Sequence, residues 1–95
     1  DMVIAGHSGI AFERHVGGVH WVNAGVIGMP PHDGTQRTEY ITIAENGELT
    51  FKRLEYDVLG AVADMEQSGL TQGYHLALQT GIWPSEDVLP AALRR

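Results

Sequence analysis

Residues 2–28, MVIAGHSGIAFERHVGGVHWVNAGVIG, decide how this chain is read. The apolar run Met2-Val3-Ile4-Ala5 stops abruptly at Gly6-His7-Ser8-Gly9. A buried strand delivers a polar side chain to the rim of a sheet in this way, and the flanking glycines allow a sharp turn and a close ligand. Phe12 to Val16, Gly17-Gly18, and Val19 to Ala24 then spell a β-hairpin with a two-residue turn. Its second strand runs into Asn23-Ala24-Gly25, again a polar residue beside a glycine. Two strand ends of this kind predict a site at one edge of a sheet.

Working outward, Met29-Pro30-Pro31-His32-Asp33-Gly34-Thr35 is a loop by its Pro and Gly content. Thr38 to Ala44 alternates, Asn46-Gly47 signals a hairpin, and Leu49 to Tyr56 is the returning strand. Asp57 is suited to cap a helix in which Val58, Ala61, Val62 and Met65 recur at helical spacing before Gly69. Thr71 is expected to cap a second helix ending near Gly81, and Ser85-Glu86-Asp87 to open a last helical turn that Pro90 limits. Residues 1–56 are thus mainly strand and 57–93 mainly helix, in one domain spanning 1–95.

Composition narrows the function classes. Ninety-five residues can bury roughly 60–65% of their unfolded surface, enough for a modest core. A formal charge of −6 argues against a nucleic-acid or anionic-membrane surface, which needs clustered Lys and Arg. No cysteine is present, which excludes disulfides, thiolate nucleophiles and zinc-thiolate sites and fits a cytoplasmic setting. No apolar run approaches a membrane span.

The stretch GHSGIAFERHVGGVHWVNAGVIGMPPHDG resembles the last active-site segment of the calcineurin-like metallophosphoesterases. Their pattern is Gly-His-Thr/Ser-His, a hairpin containing Gly-Gly, then a strand ending in Asn-Pro-Gly-Ser and a Gly-rich loop. The resemblance implies the C-terminal portion of an α/β sandwich, α+β in this fragment, with antiparallel hairpins followed by two or three helices. It implies a phosphoesterase using divalent Mn, Fe, Zn or Ni ions, whose substrate is a phosphate mono- or diester. His7 matches the first metal ligand, while Gly9 stands where the second His would be. Ala24 and Val26 replace the usual Pro and Ser. Asn23 and Gly25 would line the site, and His32 and Asp33 would face the substrate entrance, His32 as proton donor and Asp33 as its orienting partner.

The family's other motifs, Asp-x-His, Gly-Asp-x-x-Asp and Gly-Asn-His, do not occur in these residues. With a strand beginning so close to Asp1, the expectation is the C-terminal piece of a longer chain, pairing with the missing N-terminal part or with a second copy. Two alternatives stand beside the enzyme: a non-catalytic binding or assembly module with a degenerate metal site, and a structural subunit completed by a separate chain. Of the remaining candidates, His15 and His20 flank the turn without a third ligand and read as exposed strand residues. Arg37 is the cation nearest the loop and suits a phosphate oxygen, Trp21 suits core or subunit packing, and His75 a helix surface.

Overall fold

Strand β3 (Val19–Asn23) is the centre around which the other elements are arranged in the computed structural model, which describes residues 1–95. On one side it pairs in parallel with β1 (Met2–Ala5), in the register Met2–His20 through Ala5–Asn23. On the other it pairs antiparallel with β2 (Phe12–Val16), in the register Phe12–Asn23 through Val16–Val19. Gly17 and Gly18 make that turn possible: both have positive φ, 57° and 80°, the geometry that matches the twist of a two-residue hairpin. Because β1 and β3 run the same way, Ala5 and Asn23 end side by side at one edge of the sheet.

A separate antiparallel hairpin follows, β4 (Thr38–Ile43) with β5 (Leu49–Leu54). Its loop closes through Gly47 N–H to Ala44 O (2.8 Å), and Asn46 Oδ1 accepts from Glu48 N–H (3.0 Å). Helix α1 (Val58–Gln67) begins where expected: Asp57 Oδ1 accepts from the Gly60 N–H at 3.0 Å. Val58 and Val62 of α1 bury themselves against Leu78 of α2 (Tyr74–Thr80), with Tyr56, Ala61 and Met65 at the margin. The chain is an α+β fold of antiparallel hairpins and helices, with β1 its one parallel element.

Four sequence expectations need correction. Helix α2 starts at Tyr74 after Gly73, not at Thr71; Gly73 adopts φ 109°, which only glycine takes without strain. The turn at Ser85 to Asp87 does not become helix. A 3-10 turn, Ala91–Leu93, forms beyond Pro90, whose fixed φ starts such a turn more readily than it ends one. Of the two roles expected for Trp21, only the core one needs correction: the residue is 45% exposed on a sheet face that no second layer covers, which leaves it available for subunit packing. His75 lies half-buried, its Nδ1 shut from solvent without a partner.

The burial pattern has one plain consequence. Phe12, Val16 and Trp21 are exposed on one face of the three-stranded sheet, Met2 and Ile4 on the other. The outer edge of β1 is unpaired. Local caps therefore matter more than usual to the helical part. Asp57→Ala should lower the stability of the folded chain by about 1 kcal/mol, and Asp57→Asn by only a few tenths, as read by urea unfolding followed through helical circular dichroism.

Candidate functional site

The aligned ends of β1 and β3 bring His7 and Asn23 to the same edge. Asn23 is only 5% exposed, and its Nδ2 donates to the carbonyls of Ser8 and Ile10, both at 2.8 Å. One amide thereby ties down the whole link between β1 and β2. Its Oδ1 is buried and has no partner in the chain. Gly25 (φ 83°) crosses directly over Ala11; a side-chain carbon on it would lie 3.4 Å from the Ala11 nitrogen. This close crossing of two backbones is what the Gly-flanked strand ends permit.

His7 itself is exposed, makes no hydrogen bond, and has φ 79°. A non-glycine residue in that left-handed region costs on the order of 1–3 kcal/mol and is held there only by its surroundings. Its ring is free to ligate. Gly9, two residues on, offers no such freedom. A side-chain carbon there would lie 2.5 Å from Cη2 of Trp83, whose indole fills the space. Trp83 is fixed by its own bonds: Nε1–H to Pro30 O (2.7 Å) and backbone N–H to His32 Nδ1 (2.9 Å).

His32 is 1% exposed, in a left-handed conformation at φ 63°. With Nδ1 accepting from Trp83, the proton sits on Nε2, which donates to Glu86 Oε2 at 2.6 Å. Both ring nitrogens are thus engaged inside the chain, and the ring does not face solvent. Glu86 also accepts from the Arg95 N–H, and that bond, followed by the one from His32, holds its carboxyl below the usual range. Asp33 is drawn inward as well. Burial opposes its ionisation, but bonds from the Thr35 hydroxyl, Arg53 and the Thr35 amide, with the charge of Arg53, outweigh that and lower its pKa to about 2. The Arg53–Asp33 contact is 2.6 Å.

The remaining candidates lie apart from this edge. His15 and His20 stack at 4.2 Å across the hairpin, with Glu13 2.7 Å from His20 Nε2. Arg37 lines a separate groove with Gln36, Glu55 and Tyr56. Trp83, Glu86, Arg53 and Arg95 were not legible as partners of the loop, because their contacts span 18 to 63 residues. No group of three or more His, Asp or Glu side chains is placed to hold a metal ion. At the sheet edge, His7 presents an imidazole that is exposed and makes no hydrogen bond within the chain. No helix is long and apolar enough to cross a membrane.

No family model and no curated protein matches the chain. Among solved structures it is similar to a metallophosphoesterase from Sphaerobacter thermophilus, with a TM-score of 0.71 and 22% identity over 85% of the chain. The chain spans 43% of that protein's length. At this identity the likeness shows the fold: the α+β arrangement described above is one that forms part of a metallophosphoesterase.

Proposed function

We propose that this chain is one part of a metal-dependent phosphoesterase acting on phosphate mono- or diesters, and that it contributes His7 to a centre completed by other residues. The observation that carries the reading is the parallel pairing of β1 with β3, which aligns His7 and Asn23 at one sheet edge in a fold shared with a metallophosphoesterase. Divalent ions of the Mn, Fe, Zn or Ni type, when bound in such a centre, lower the pKa of a water and neutralise phosphoryl charge. The chain's own residues have simpler tasks. His7 offers a ring nitrogen from an exposed, conformationally held position. Asn23 fixes the loop that carries His7, and Gly25 lets the backbones cross closely enough to keep that loop in place.

His32 and Asp33, expected to meet substrate, act in this proposal as the stiff rim of the entrance: their polar atoms hold Trp83, Glu86, Thr35 and Arg53 in register. The partner is the polypeptide bearing the remaining ligands, added along the open edge of β1, or a second copy meeting the same edge. A cytoplasmic setting is part of this proposal, and a chain without cysteine is compatible with it. A second reading has its own support. Trp83 closes the position of a second ligand at Gly9, which favours a binding or assembly module in which the metal site has been lost.

Three measurements test this account, and the second separates the two readings. Purified residues 1–95 should show no Mn- or Ni-stimulated hydrolysis of an aryl phosphate; turnover that survives rigorous purification would contradict the shared centre. In the assembled protein, His7→Ala should lower bound metal and kcat by about tenfold or more, whereas His15→Ala, His20→Ala and His75→Ala change each less than about twofold. Equal losses from all four favour the assembly module. For the rim, carboxyl-detected NMR should find Asp33 titrating near 2, below the ordinary 3.8. Its folded-state pKa is depressed, so its contribution to stability is full above pH 4 and falls away as the pH drops toward 2.

A further inference from the structure

Half of the chain's six cationic side chains, Arg53, Arg94 and Arg95, line a single cleft of about 450 Å³ between the β4–β5 hairpin and the C-terminal segment. Its floor begins at Ile10, in the loop that Asn23 ties down. We infer that this cleft is a binding site for a small molecule bearing a phosphate or carboxylate group, a role separate from any metal at His7.

Each guanidinium is held by one part and free at another. Arg95 donates its Nε–H to the His32 carbonyl (3.0 Å), which leaves both terminal nitrogens without a partner in the chain. Arg94 is anchored through Nε to Leu89 O at 3.1 Å, with Nη2 3.4 Å from Asp87 O, and Nη1 is free. Arg53 gives Nη1 to Asp33 and Thr35 and keeps Nη2 and Nε. Side chains already fixed by their anchors lose little further freedom when an anion arrives, and planar forks of this type suit the paired oxygens of phosphate and carboxylate.

The cleft carries charges of both signs, with cations in the majority. Two carboxylates share the lining, Asp33 and Glu39, against three guanidinium groups. Asp33 is committed to Arg53 and Thr35. Glu39 pairs across the hairpin with Arg53 in register but accepts no hydrogen bond, so it acts on an incoming anion only by repulsion. On a chain with net charge −6, a lining with a net positive charge is a local exception and not a reflection of the whole surface.

Titration of the protein with inorganic phosphate and, separately, acetate, followed by amide and Arg side-chain NMR shifts, tests the inference. Saturable shifts should centre on Arg53, Arg94, Arg95 and Ile10. Tighter binding of phosphate assigns the site to phosphorylated ligands, and tighter binding of acetate to carboxylated ones. The double variant Arg94→Gln/Arg95→Gln should weaken binding about tenfold, while Arg14→Gln on the distant hairpin leaves it unchanged. Glu39→Gln keeps every anchor intact and should tighten binding, which guards against a loss caused by misfolding. No saturable shift with either anion, or equal affinity in the wild type, the double arginine variant and Glu39→Gln, would overturn the assignment.

Discussion

The imidazole of His32 is the joint on which the second half of the chain depends. It accepts from the backbone of Trp83 at one nitrogen and donates to Glu86 at the other, while its carbonyl receives Arg95. Residues 82–95 contain no α-helix and no strand, so they carry little regular backbone bonding of their own. Their place in the fold is set by this one buried ring and by the Trp83 indole bound to Pro30. A polar group so deeply buried is tolerable because each of its ring nitrogens has a partner; remove one and the desolvation cost of the other remains.

The opposite condition holds around the three-stranded sheet. Only 12 of 95 residues are buried, and the one cluster of buried apolar side chains lies between α1 and α2. The sheet presents apolar side chains on both faces. At about 25 cal/mol per Å² of apolar surface, such faces favour covering by another polypeptide. The two cores of the molecule are therefore unlike: one closed and apolar between helices, one polar and threaded through His32, with an open sheet beside them.

Where structure was legible in the sequence, the signal was local. Gly17-Gly18 and Asn46-Gly47 mark turns because positive φ is needed within a few residues, and Asp57 caps α1 because its acceptor lies three residues from the donor. The pairing of β1 with β3 was not legible, although the idea of two polar strand ends at one edge anticipated where it leads. Helix α2 and the last turn were misplaced for a related reason. Thr71 and Ser85 carry good capping side chains, but tertiary contacts near Gly73 and Glu86 outweigh that local preference. The contacts of His32 and Asp33 were not legible because loop composition says nothing about a partner 54 positions away.

The packing of Trp83 over Gly9 also bears on how this chain can change by mutation. A histidine at position 9 would force the indole to shift, since its first side-chain carbon would meet the ring. A smaller residue at 83 would make room but would surrender the bond to Pro30 and the tilted contact with the His32 ring. The space at position 9 and the bonds made by Trp83 are therefore set against each other. Positions 9 and 83 are thus coupled sites, where the cost of a change at one depends on the residue held at the other.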